Sequence, residues 1–136
     1  MRARVVVAVA AIGFAAAAVF ALSGAAPPPT TNVTITIHYS AFEPTAVTLP
    51  HGVPITFVLV NDDPIDHEWI VGDEALHERH RTGTEPFHHR RPTEVTVPAL
   101  ETRTTVVTFD EPGRYAFICH LPGHEAYGMV GIITAA

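Results

Sequence analysis

Lysine is absent from the 136 residues, and cysteine and tryptophan each occur once. All eight basic residues are arginine, against fourteen acids, for a formal net charge of −6. Nucleic-acid binding calls for a basic footprint, so that class is disfavoured; the charge suits neutral or cationic partners and says little about fold. One cysteine excludes an intramolecular disulfide. A lone thiol on an exported chain is most simply explained by metal ligation. No internal repeat is present. With an N-terminal segment set aside, about 110 residues remain. They can bury roughly 65% of their unfolded surface, so one domain without disulfides is expected.

The beginning of the chain reads as a targeting segment. Arg2 and Arg4 form a short basic region, Val5 to Leu22 are unbroken apolar or small residues, and Ser23-Gly24-Ala25-Ala26 offers small-residue cleavage sites. As a helix, residues 5–22 would span about 27 Å, close to the ~30 Å hydrocarbon core. Residues 1–26 are therefore expected to be a signal peptide or, uncleaved, an N-terminal membrane anchor through residues 5–22. No cysteine follows the run, which excludes a lipoprotein anchor. Either reading places the domain outside the cytoplasm, in the periplasm, at the cell surface or secreted. Residues 27–32, with Pro27-Pro28-Pro29, read as a stiff linker, and residues 33–136 as the folded domain.

That domain reads as all-β. Val33, Ile35 and Ile37 alternate with Thr34, Thr36 and His38, the period of a half-buried strand. Phe42-Glu43-Pro44 breaks it and Ala46 to Leu49 resumes. Ile55 to Val60 is a near-continuous apolar run suited to a central strand. Glu68–Val71, Glu94–Val97, Thr104–Phe109, Arg114–Cys119 and Val130–Thr134 bring the number to about eight. Short strands with turn signals such as Glu111-Pro112-Gly113 suggest an antiparallel sandwich.

Residues 73–91 depart from this pattern. They hold His77, His80, His88 and His89 with Arg79, Arg81, Arg90 and Arg91, and a short helix is expected near Glu74 to Arg81. Two readings stand side by side: a solvated polar loop, or a lid that could hold a second metal through His77, His80, His88 and His89, with Glu74 or Glu78 nearby.

Phe117-Ile118-Cys119-His120-Leu121-Pro122-Gly123-His124-Glu125-Ala126-Tyr127-Gly128-Met129 concentrates the chemistry. Thiolate, imidazole and thioether suit a soft or borderline metal, and a trigonal His2Cys set with a weak axial Met marks a blue-copper centre. Each residue alone is ordinarily a small buried group, a core residue or a surface histidine. Together, Cys-x4-His-x4-Met after the Gly-x-Tyr-x-Phe strand of residues 113–117 resembles the C-terminal copper loop of the cupredoxins. The Pro-Gly-His-x3-Gly-Met form is similar to the small exported rusticyanin-, plastocyanin- and azurin-like bacterial members. The resemblance covers about the last hundred residues. It implies a Greek-key β-sandwich, one type 1 copper and electron transfer. It also implies His67 as the remaining ligand, completing His67, Cys119, His124 and Met129. His38 and His51 are read as exposed strand and turn residues.

Single residues separate the near relatives. A dinuclear CuA centre needs a cysteine four positions after the first, where Gly123 stands. The oxidase pattern His-Cys-His is broken by Ile118, and no His-x-His exists, so a trinuclear cluster and an enzyme are not expected. His120 then reads as a polar rim residue or an electron exit. Glu68 stands where many blue-copper proteins carry Asn or Ser after the first histidine; a carboxylate there must be solvated, paired or protonated. The function expected is a one-electron carrier cycling Cu(II) and Cu(I), with His124 as the electron port. The alternative is copper sequestration or delivery in copper tolerance, with the His-rich segment assisting. The partner would be a redox protein or a copper donor or acceptor, and the chain a monomer.

Overall fold

The computed structural model describes residues 31–83, 88 and 90–136. The expected signal or anchor segment (1–26), most of the linker and His89 lie outside the described residues.

Two sheets form the body. β1 (Thr31–His38), β2 (Ala41–Glu43), β4 (Pro54–Asn61) and β7 (Thr102–Thr108) make a four-stranded sheet in the order β2-β1-β4-β7. β3 (Ala46–Leu49), β5 (His67–Gly72), β6 (Glu94–Val97), β8 (Gly113–Ile118) and β9 (Val130–Ala135) make the other, in the order β3-β9-β8-β5-β6. The alternation read from sequence is the inward and outward alternation observed: Ile35 and Ile37 of β1 and Ile55, Phe57 and Leu59 of β4 are wholly buried. They meet Trp69, Phe117 and Ile133 of the facing sheet in one core. Phe57 and Trp69 pack with ring centroids 4.8 Å apart. At Gly131 of β9 an added Cβ would sit 2.0 Å from the Phe117 ring, so only glycine lets that ring lie across the strand.

Two expectations are corrected. The sheets are mixed, since β1 runs parallel to β4 and β3 parallel to β9. A period of two is the same in either direction, and turn residues specify only sequential neighbours. The segment expected to break after β1 instead folds back as β2, pairing His38 with Ala41 through Tyr39-Ser40. Both loop residues take positive φ, 53° and 54°, the geometry of a two-residue hairpin turn ordinarily filled by Asn or Gly.

The expected helix is present as α1 (Glu74–Arg81). Asp73 caps it by accepting the Leu76 N–H at 2.9 Å. Glu74 lies in the first turn and Arg79, His80 and Arg81 in the last, matching the helix dipole. The helix buries Leu76, His77 and His80, so this part of residues 73–91 is not a solvated loop. Among the described residues no helix is long and apolar enough to cross a membrane.

Candidate metal centre

Two segments far apart in sequence build the site. His67 opens β5, and Cys119 directly follows the adjacent β8. Both are fully buried. The chain then leaves the sheet, loops through His124 and returns at Met129, also fully buried, to start β9. Backbone bonds close this loop: Met129 N–H donates to His124 O at 3.0 Å, and Cys119 N–H to Met129 O at 3.2 Å. Gly128, with φ of 94°, makes the last bend, a conformation that side chains rarely adopt.

The donor atoms converge. His124 Nδ1 lies 3.2 Å from His67 Nδ1 and 3.2 Å from Cys119 Sγ. The three ligand atoms all fall within 4.8 Å of one another. Two ~2.0 Å bonds from nitrogen to a metal, opened to 120°, would set the donors about 3.5 Å apart, so the observed edges fit an ion at their centre. The protonation pattern fits as well. His67 Nε2 faces Asp63 Oδ2 at 2.9 Å. A carboxylate only accepts, so Nε2 carries the hydrogen and Nδ1 turns its lone pair inward. Burial holds the His67 imidazole below the usual histidine range, with Asp63 opposing. Burial pushes the Cys119 thiol up to about 11, against the Glu68 N–H that it accepts at 3.3 Å. A metal must therefore displace that proton, and the same N–H then remains on the thiolate.

Asp63 is a site residue that the sequence reading passed over. Its Oδ1 accepts from Tyr39 N–H and its Oδ2 from Ser40 N–H, both at 2.7 Å. One buried carboxylate thus holds the strained β1–β2 turn and His67 together. In sequence it is one of the residues in an Asn-Asp-Asp-Pro turn, and its only signal is lying four positions before a candidate ligand.

The other expectations resolve as follows. The Glu68 carboxylate is paired, lying 3.5 Å from His88 Nε2. His38 and His51 are exposed. His120 is not on the rim: its side chain is 3% exposed, and burial pushes its imidazole down to about 4. It lies under α1 with its Nε2 3.0 Å from His77 Nδ1. Among the described residues, His77, His80 and His88 do not converge as a three-donor group as tightly as His67, Cys119 and His124 do.

A family model described as a cupredoxin-like domain matches residues 7–133. The chain is 32% identical to the copper-resistant cuproprotein CopI of Rubrivivax gelatinosus, over 68% of its own length and 58% of that protein's. To the CopI of Pseudomonas aeruginosa it is 27% identical, over 68% and 69%. The chain thus spans a little over half the length of the Rubrivivax relative. Among solved structures, auracyanin B matches with a TM-score of 0.66 at 22% identity, covering 82% of this chain and 93% of that one. The dithionite-reduced auracyanin of Roseiflexus castenholzii matches with a TM-score of 0.66 at 24%, covering 79% and 98%. At these identities the structural likeness is one of fold.

Proposed function

The chain belongs to the cupredoxin-like family and its cofactor is copper; from that premise we propose an exported one-electron carrier holding a single type 1 ion. His67, Cys119 and His124 would hold it as the strong set and Met129 as the weak axial ligand. Bound copper supplies one-electron exchange between Cu(II) and Cu(I). The protein's part is to keep one donor arrangement for both states. The observation that carries this reading is the convergence of two imidazoles and one sulfur on edges of 3.2 Å, set by a sheet end and a loop closed by its own backbone bonds. Asp63 fixes the His67 ring, and the Glu68 N–H draws charge from the sulfur, a contact that tunes reduction potential. His124 is the half-buried member of the set and would be the electron port, beside the exposed Tyr127.

A second reading, copper sequestration or delivery, is supported by the relatives named for copper resistance. On either reading the domain works outside the cytoplasm as a monomer that meets a redox protein or a copper donor or acceptor, and it is not an enzyme. A visible spectrum and metal analysis of the copper-loaded chain test the proposal. The expected result is intense blue colour with a reversible redox wave, with the colour abolished in Cys119→Ser. A colourless copper complex of the unaltered chain would overturn it. Fast electron exchange with slow loss of copper to a chelator favours the carrier; ready surrender of copper favours delivery.

A further inference from the structure

Helix α1 brings a second group of imidazoles to the back of the metal loop. His77 packs on His120 with ring centroids 5.2 Å apart, and His80 stacks on His120 at 5.4 Å and 23°. His77 is 1% exposed, and the side chains of His80 and His120 are each 3% exposed. Polar rings are costly to bury unless their nitrogens find partners.

The partners assign the protons. His77 Nε2 lies 3.2 Å from the Ala116 carbonyl oxygen. A carbonyl only accepts, so Nε2 carries the hydrogen and Nδ1 keeps a lone pair. His120 Nδ1 lies 3.4 Å from Glu125 Oε2, whose carboxylate is paired with Arg81 at 2.7 Å. At 3.4 Å Glu125 is a charge neighbour rather than a hydrogen-bond partner, so in the metal-free protein His120 carries its hydrogen on Nε2 and donates it to His77 Nδ1. One proton thus joins His77 Nδ1 and His120 Nε2 across 3.0 Å, and a metal ion that displaced it would meet both nitrogens, with Glu125 Oε2, 3.4 Å away, beside the Nδ1 that would then carry the His120 hydrogen. His67 and His124 show the same pattern at 3.2 Å, with the outer His67 N–H held by a carboxylate. Anchoring the outer nitrogen on a carboxylate or carbonyl is how metal-binding histidines are ordinarily oriented.

His80 adds an independent observation. Its Nδ1 donates to Leu76 O at 3.0 Å, and its buried Nε2 has no hydrogen-bond partner among the described residues. Glu94 Oε2 lies 3.5 Å from that nitrogen.

We propose that His77 Nδ1 and His120 Nε2 form a second metal site for a late divalent transition ion. Imidazole donors suit such ions, and Cu(II) binds tightest in the series. A cavity of about 380 Å³, lined by Arg81, His120, Pro122 and Glu125 among others, reaches the His120 side of the pair and gives room for water there. His80 is the nitrogen available as a third donor, and recruiting it takes a side-chain rotation. Arg81 at the mouth does not repel an incoming cation at full strength, since Glu74, Glu78 and Glu125 neutralise it.

The inference stands apart from the type 1 assignment, and the experiment separates them. Cu(II) is titrated into the full chain, with bound metal counted and followed by electron paramagnetic resonance. Two ions per chain are expected, one blue with narrow copper splitting and one with the wide splitting of an ordinary nitrogen-ligated site. His77→Gln should lose the second ion and keep the blue one. One blue ion per chain in the unaltered protein overturns this inference and leaves the carrier reading intact. Two ions retained in His77→Gln place the second elsewhere and also overturn it. If His77→Gln does not fold, Zn(II) titration of the unaltered chain decides: a shift of the His77 ring-nitrogen resonances at the second equivalent supports the site, and unmoved resonances reject it.

Discussion

Asp63 links strain to function within one side chain. Burial alone would raise its pKa, but the Ser40 and Tyr39 amides and His67 outweigh burial and hold it below the ordinary carboxylate value. A carboxyl lowered in this way stabilises the fold above its unfolded pKa, and that contribution is lost as pH falls through the folded value. The Asp63 contribution should therefore hold from neutrality to about pH 4 and be lost below it, while His67 and His120, held low by burial, erode apo-protein stability from about pH 6.5 downward as the unfolded chain takes up protons they refuse. Asp63→Asn should cost about 1–3 kcal/mol at pH 7, the penalty for leaving buried donors poorly paired. Its loss of stability on acidification should be shallower. Urea denaturation across pH measures both, and an unchanged midpoint at pH 7 would contradict the role. Cys119 supplies a second pH dependence. Its thiol, pushed up to about 11, is protonated in the metal-free chain at pH 7, so copper loading should release about one proton from it. Apparent affinity should rise about tenfold per pH unit from pH 7 to 9, as a chelator competition would show. At this scale the placing of Cys119, His124 and Met129 on one loop was legible from their spacing. His67 was legible only through the resemblance to cupredoxins. Asp63 and His120 were not, since their partners lie 23 and 24 and 43 residues away and no local pattern records such meetings.

At the scale of elements, α1 was readable down to its ends: Asp73 as cap, an acidic first turn and a basic last turn are local signals. Its burial was not readable, because its arginines and histidines resemble a solvated face until β5 and the metal loop are brought against it. Asp73→Ala should cost about 1 kcal/mol and raise hydrogen exchange in α1 while sparing β8. Uniform acceleration across the domain would show that the helix does not open on its own. β9 makes the opposite case. Gly131→Ala forces a methyl onto the Phe117 ring, and overpacking of this kind costs about 1–3 kcal/mol. A thermal melt equal to that of the unaltered chain would show that the ring has room to move. All the strands but β2 were legible from the sequence pattern, whereas β2 and the two parallel pairings were not, because hairpin return and strand direction are decided by where the chain crosses and turns.

Taken whole, the domain needs no metal to define its core, since Ile35, Phe57, Trp69, Phe117 and Ile133 close it from both sheets. Copper should therefore add stability to a fold already formed. Free copper at one hundred times its dissociation constant adds about 2.7 kcal/mol, a rise in melting temperature on the order of 10 °C for a domain of this size. Cys119→Ser should lose most of that increment while its metal-free form melts near the unaltered apo-protein. A variant unfolded without copper would show that the site is part of the folding nucleus.

Trp69, the single tryptophan, lies two residues from His67 on the inward face of β5. It is fully buried, and its indole N–H finds no acceptor among the described residues. Since the ring is shut away from solvent, its fluorescence should peak far to the blue, and an ion seated beside the same strand should quench it. The chain thus carries an intrinsic optical gauge of occupancy at one end of the sandwich, readable without a label.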